Sequence, residues 1–318
     1  MKVSKSDNIF IAGHNGLVGS SVFTCLKQNG YTNLITRSRD EVDLTDYNAT
    51  ISFFKNLQID HVILCAAKVG GIHANNTLRG DFIIQNLSIG LNVLRAAHKF
   101  NIKKLINLGS SCIYPKNFDR EIIEEDLLTG ELEPTNEPYA LAKIAILKSC
   151  EAMYHQYNSN FYSLMPCNMY GPNDNFDLDS SHVLPALIHK VHLAKINNES
   201  SVEMWGSGKP LREFLFSEDL ANAILFCLEN VDANDIYSQG ISHLNCGSGE
   251  EVSIFDLLCI IKKVIGYNGE IKLDTSKPDG TYRKKMNNSR ISKLGFSPKT
   301  KLSDGILKSY ESFLKKLA

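Results

Sequence analysis

The stretch Gly13-His14-Asn15-Gly16-Leu17-Val18-Gly19 lies between a short apolar run, Ile9–Ala12, and a helical pattern that ends near Gln28. Three glycines between a strand and a helix admit few folds. In the first βα turn of a βαβ unit each has a use: one makes the tight turn, one lets backbone approach a pyrophosphate, and one lets helix and strand pack closely. The helix N-terminus offers free N–H groups and the positive end of its dipole to phosphates. The pattern therefore predicts a dinucleotide cradle; glycines in a plain turn are the alternative that its position opposes.

The next 150 residues extend the same grammar. Short β-rich runs at Asn33–Thr36, His61–Cys65, Lys104–Leu108 and Phe161–Met165 alternate with helical patterns at Gly19–Gln28, Tyr47–Asn56, Asp81–Phe100 and Tyr139–Tyr157. Such alternation implies βαβ units and an α/β, Rossmann-type doubly wound parallel sheet. After about Tyr170 the texture becomes loop-rich, with Gly171-Pro-Asn-Asp-Asn-Phe, Trp205-Gly-Ser-Gly-Lys-Pro and Ser276-Lys-Pro-Asp-Gly-Thr. A smaller C-terminal substrate-binding lobe is expected there, with Ile241–Cys246 returning a late strand to the main sheet. The expected division is residues 1–170 plus about 215–250 for the NADP-binding domain, and about 171–214 plus 251–318 for the substrate lobe.

Cofactor choice is read after the second strand. An acidic residue there holds the ribose hydroxyls of NAD, whereas this chain has Thr36-Arg37-Ser38-Arg39. Two arginines suit the 2′-phosphate of NADP; a solvated basic loop is the plainer reading. Asp43 and Asp60 are further candidates for polar contact on the adenine side.

Tyr139-Ala-Leu-Ala-Lys143 places a phenol and an ammonium one helical turn apart on one face. A free tyrosine has a pKa of ~10, and a nearby cation favours its phenolate. This pair follows the strand Lys104–Leu108 and Gly109-Ser110-Ser111, whose hydroxyl would complete the hydrogen bonds around a carbonyl. Glycine cradle, serine and Tyr-x-x-x-Lys in that order predict an NADP(H)-dependent oxidoreductase acting on a carbonyl or alcohol.

Composition excludes other classes. With 34 basic and 35 acidic residues the net charge is −1, so no basic field points to nucleic acid. No run approaches the ~20 apolar residues of a membrane span, and the short Ile9–Ala12 run after two lysines is not a signal-peptide core. Eight cysteines occur without a CxxC pair or zinc-finger spacing, so no metal site is expected. They read as small buried hydrophobes of a reducing, cytoplasmic compartment, Cys112 set apart.

The motifs resemble those of the extended short-chain dehydrogenase/reductase family, over essentially the whole chain. They are the Gly13–Gly19 turn, Ala66-Ala-Lys-Val-Gly-Gly-Ile-His73-Ala-Asn-Asn76, Gly109-Ser-Ser-Cys-Ile-Tyr-Pro115, Glu133-Pro-Thr-Asn-Glu-Pro-Tyr139-Ala-Leu-Ala-Lys143, Pro166-Cys-Asn-Met-Tyr-Gly-Pro172, Ser181-His182-Val183, Trp205-Gly-Ser-Gly, Arg212-Glu-Phe214 and Ser276-Lys-Pro-Asp-Gly280. The resemblance is strongest to members that reduce the C4 ketone of a GDP-linked 4-keto sugar with coupled C3/C5 epimerisation. It implies that Ser110, Tyr139 and Lys143 serve reduction, and that Cys112 and His182 are the base and acid of epimerisation. Gly13, Asn15, Gly16, Leu17, Val18, Gly19, Arg37, Arg39, Ala66 and Lys143 would hold the cofactor. Asn168, Lys190, Trp205 and Arg212 would hold the nucleotide sugar, with Asp279 or Arg283 closing over it. A homodimer is implied as well.

The chain departs from the family pattern at Asn15 and Lys190, where arginines are expected, and at Cys167 and Lys209. These changes leave open a related substrate, such as a GDP-4-keto-heptose, reduced without epimerisation. A dehydratase or 4-epimerase with tightly held NAD is opposed by Arg37, Arg39 and Ser111-Cys112, and an NADP-sensing regulator by the intact Tyr139–Lys143 pair.

Overall fold

The computed structural model describes residues 3–178, 180–277 and 279–317. Its strands are β1 (Ile9–Ala12), β2 (Leu34–Ile35), β3 (His61–Leu64), β4 (Lys104–Leu108), β5 (Phe161–Pro166), β6 (Asn168–Tyr170), β7 (Ser201–Trp205), β8 (Leu211–Phe216), β9 (Leu244–Cys246), β10 (Glu251–Ser253), β11 (Glu270–Asp274) and β12 (Arg283–Lys284). The helices are α1 (Leu17–Gln28), α2 (Tyr47–Asn56), α3 (Ile72–Thr77), α4 (Arg79–Lys99), α5 (Glu137–Tyr157), α6 (Val183–Ile196), α7 (Ser217–Asn230), α8 (Ala233–Tyr237), α9 (Ile254–Ile265), α10 (Ser289–Leu294) and α11 (Leu302–Leu317).

Six parallel strands form the main sheet in the order β2-β1-β3-β4-β5-β9. Strands β1, β3, β4 and β5 are buried along their whole length, as a sheet covered by helices on both faces requires. The order reverses direction at β1, and the crevice beyond the C-terminal ends of β1 and β3 is where such a sheet binds its ligand. The expected late strand does rejoin the sheet: Leu244 pairs with Leu164 and Cys246 with Pro166.

Helix boundaries differ from expectation for local reasons. α1 begins at Leu17, two residues before the predicted Gly19, because Gly16 in extended conformation serves as its N-cap. α5 begins at Glu137 with Pro138 in its first turn, where a missing N–H costs nothing, and ends at Asn158 in the left-handed region at φ 55°.

A second, smaller layer follows. β8 lies between β10 and β12 and also pairs with β6, while β7 and β11 form a separate parallel pair. Tyr170, Phe214, Phe216, Leu257, Ile261 and Phe313 make a second apolar core there. The chain then goes back: Met286, Ile291 and Phe296 pack into the same core as Ile9, Ile106 and Leu164 of the main sheet. Among the described residues, no helix is long and apolar enough to cross a membrane and no cluster of three or more His, Cys, Asp or Glu side chains is placed to hold a metal ion.

Candidate active site

Gly13 has φ +84°, and a side chain there would put its Cβ 2.7 Å from the amide nitrogen of Ala66 at the end of β3. At Gly19 a Cβ would stand 2.1 Å from the carbonyl oxygen of Gly13. Both positions exclude any larger residue, so β1, β3 and α1 close on one another as the glycine spacing predicts. No side chain caps α1, which leaves its first N–H groups free for an anion. His14 Nδ1, at the lip of the turn, is buried without a hydrogen-bond partner.

From this cradle a cleft of about 570 Å³ runs past Arg37, Arg39 and Asp43 to Ser110, Tyr139, Lys143 and His182. Asn15, Gly16, Leu17, Val18 and Ala66 line it too, so every expected cofactor contact except Asp60 borders one space. Arg37 donates from Nη1 to the Thr36 carbonyl at 2.7 Å, and the ion pairs of both arginines are long, 3.9 Å from Arg37 to Glu41 and 3.7 Å from Arg39 to Asp43. A bound 2′-phosphate would displace either at little cost. An uncapped helix, a glycine floor and two exposed arginines together fit NADP. Asp60 is a correction: it precedes β3 at the far end of the sheet, where its carboxylate accepts from the Asn8 N–H at 2.8 Å and pairs with Lys103 at 2.7 Å.

At the other end of the cleft, Tyr139 stands edge-on to Phe82, with ring centroids 6.2 Å apart. Lys143 donates from Nζ to the carbonyl oxygen of Leu108 at 2.8 Å. The expected acidification of the phenol by this lysine does not hold in the free protein. Burial dominates and pushes Tyr139 up, with Cys112 adding to it, while burial pushes Lys143 down to about 8. Tyr139 is therefore a protonated phenol at neutral pH, the form a reductase needs in order to donate a proton.

Ser110 caps a 3₁₀ turn, Ser111–Ile113, its Oγ accepting from the Cys112 N–H at 3.4 Å. The far side of this loop is anchored in the core: the Tyr114 hydroxyl donates to Asn245 Oδ1 at 2.6 Å and lies 2.6 Å from His243 Nε2. Burial pushes His243 down to about 3, so it is the neutral donor to the phenol oxygen while Nδ1 meets the Ser242 hydroxyl. Burial also pushes the Cys112 thiol up and the His182 imidazole down. Both therefore rest uncharged, as thiol and imidazole; His182 borders the cleft, and Cys112 lies behind its lining, one residue beyond Ser111. His182 is the N-cap of α6, and the loop before it is held where the Gly71 N–H donates to the Ser180 carbonyl at 2.9 Å.

The sequence profile of the NAD dependent epimerase/dehydratase family matches residues 9–247. The chain belongs to that family. Within it, a putative GDP-L-fucose synthase of Arabidopsis thaliana is 51% identical over 98% of this chain and 93% of its own length. The GDP-L-fucose synthase of Escherichia coli (strain K12) is 46% identical over 96% of each chain. Among solved structures, a GDP-mannoheptose C4 reductase of Campylobacter jejuni with NADP bound superimposes with a TM-score of 0.90 at 35% identity, covering 98% of this chain and 99% of the other.

Of the remaining candidates only Asn168 lines the cleft, its Nδ2 donating to the Glu213 carbonyl at 2.9 Å. Lys190 lies over the Trp205 ring, 4.7 Å from its centroid. Arg212 donates through Nη1 to the Thr281 carbonyl at 2.6 Å, and burial pushes its guanidinium down. The Asp279 carboxylate takes both the N–H and the hydroxyl of Ser207, at 2.8 and 2.6 Å. Arg283 is engaged within the chain: Nε and Nη2 grip Glu251 and Nη1 donates to the Asp119 carbonyl.

Sequence reasoning missed the neighbouring lysine. Lys284 is the register partner of Arg212, on the opposite face of β12 from Arg283. Burial pushes its ammonium down and Cys112 pushes it back up; of the charges that favour a Cys112 thiolate, Lys284 is the largest. Only the pairing of β12 with β8 brings it there, and nothing in the local sequence marks it.

Proposed function

We propose that this protein reduces the C4 ketone of a GDP-linked 4-keto sugar with NADPH, after epimerising C3 and C5. The observation that carries the reading is one cleft with a phosphate cradle at one end and Ser110, Tyr139, Lys143 and His182 at the other. NADP(H), when bound, supplies the hydride that closes the ketone. The Tyr139 phenol gives its proton to O4, and the Ser110 hydroxyl donates a hydrogen bond to the same oxygen. Those two donors also stabilise the enolate that acidifies the hydrogens at C3 and C5. With the proton of the thiol exchanged through solvent to the imidazole, Cys112 as thiolate takes a proton from one face and His182 as imidazolium returns one from the other, Lys284 and Ser110 favouring the thiolate. Asn168, Lys190, Trp205, Arg212 and Asp279 hold the nucleotide sugar.

Incubation with GDP-4-keto-6-deoxymannose and NADPH in deuterated water tests this. NADPH consumption with deuterium at C3 and C5 is the expected result. Consumption without deuterium leaves a C4 reductase, the second reading that the likeness to a heptose reductase favours. Absence of consumption with this sugar, together with turnover of a GDP-4-keto-heptose, assigns the heptose.

The finer properties follow the same reading. The main sheet and its helices carry cofactor, and the second core carries substrate. The eight cysteines are all unpaired, which suits a cytoplasmic enzyme. α4 and α5 lie side by side and expose Ile84, Leu91 and Leu141, a face suited to a two-fold helical bundle. A homodimer is expected by light scattering, and a monomer at micromolar concentration removes it.

A further inference from the structure

Trp205, the one tryptophan of the chain, is 60% exposed at the end of β7. β7 and β11 run parallel, and Trp205 and Asp274 are register partners at their last residues. The loops that follow the two strands therefore leave the sheet side by side. They are laced together: the Gly206 N–H donates to the Asp274 carbonyl at 2.9 Å, and Ser207 gives its N–H and hydroxyl to Asp279. Three residues beyond β11, Lys277 reaches back over the indole, with Nζ 5.5 Å from the ring centroid. Lys190 reaches the same ring from α6 at 4.7 Å.

Both ammoniums are within the ~6 Å reach of a cation–π contact. Among the described residues, neither has a carboxylate within ion-pair distance. Of the nearby carboxylates, Glu203 accepts from the Trp205 indole N–H at 3.1 Å, Asp279 is held by Ser207, and Asp274 by the N–H and hydroxyl of Ser276, with Lys277 adding a weaker attraction. Two unpaired cations on one uncovered aromatic ring form a site for a ligand that carries both a planar base and more than one negative charge. A lysine is a point charge and cannot make the two-pronged phosphate contact of an arginine. At position 190 this chain has such a lysine, and Lys277 adds a second point charge at the same place.

We propose that Lys277 binds the diphosphate of a nucleoside-diphosphate ligand jointly with Lys190, the two ammoniums leaving the Trp205 ring as the phosphates arrive. This rests on the reading of the substrate as a nucleotide-linked sugar and deepens it. Trp205 is left to cover the base or ribose, and the two lysines together supply the charge that one arginine would concentrate.

The test uses the full chain saturated with NADPH, GDP as probe and the emission of Trp205 as the readout. GDP is expected to change the emission saturably in the wild-type protein. Lys277→Ala and Lys277→Gln are expected to weaken GDP about tenfold, with a shallower dependence on salt, and Lys277→Arg to bind as the wild type does. Guanosine, without phosphates, is expected to bind all forms alike. NADPH binding, measured separately, reports that each variant is folded. Equal GDP affinity and salt dependence in the wild type and both neutral variants overturns the role of Lys277 and leaves the catalytic reading standing. An equal loss for guanosine and GDP also overturns it, because the lysine would then act through the ring alone. Wild-type protein that binds NADPH but not GDP overturns the nucleotide reading and this proposal with it.

Discussion

Lys143 Nζ stands 2.8 Å from the Leu108 carbonyl oxygen and 5.8 Å from the centre of the Tyr139 ring. The lysine is anchored to the end of β4, and the phenol beside it remains protonated. Because burial pushes Lys143 down to about 8, its charge is present below that pH and lost above it. The profile of kcat/KM, which reports the free enzyme, is expected to fall as pH rises through about 8. In Lys143→Arg any remaining activity is expected to lack that limb, since an arginine stays charged throughout.

Tyr139→Phe removes the proton donor and keeps the ring against Phe82. Reduction is expected to slow by roughly 100- to 10,000-fold, the usual worth of general acid catalysis. Exchange of C3 and C5 hydrogens with solvent, followed by NMR, is expected to fall less, because the Ser110 hydroxyl still reaches O4.

Lys284→Met keeps the stem of the side chain and removes its charge. Cys112 then loses the strongest of the influences that offset its burial. A rise of one unit in the thiol pKa corresponds to about tenfold less thiolate. Deuterium incorporation at C3 and C5 is expected to drop by about that factor while the reduction of a sugar already epimerised is unchanged.

Arg37→Ala and Arg39→Ala each remove a guanidinium from the cofactor rim. A hydrogen bond to a charged group is worth about 1.5–3 kcal/mol, so KM for NADPH is expected to rise roughly 10- to 100-fold. KM for NADH, which lacks the 2′-phosphate, is expected to stay level. Equal effects on the two cofactors would assign both arginines to the surface.

Gly19→Ala sets a methyl 2.1 Å from a backbone oxygen that has no room to move. Forcing one methyl into such packing costs about 1–3 kcal/mol. A lowered Tm together with weakened NADPH binding is the expected pair of results, since the same displacement opens the cradle.

The sheet was legible because its signals are local. Apolar strands alternate with helical patterns, and Tyr47–Asn56 and Lys104–Leu108 coincide with the elements seen. The meeting of Ser110, Tyr139, Lys143 and His182 in one cleft was legible for the same reason, since they occupy loops and helix ends fixed by that sheet. Legibility ended where long-range pairing decides direction. Arg283 and Lys284 are adjacent, so in an extended strand they face opposite ways: one meets Glu251, the other lies with Arg212 towards Cys112. No local pattern distinguishes them, so nothing in the sequence set Lys284 beside Cys112. Protonation was likewise hidden, because the depth at which Tyr139 and Cys112 lie is set by layers distant in sequence.

The chain does not visit its two cores in turn. It leaves the main sheet after β5, comes back through α7 and β9, departs again with β10, and comes back once more with Met286, Ile291 and Phe296. Such a path gives the molecule a broad spine instead of a tether. No single cut frees either half intact, and heat is expected to melt both in one step.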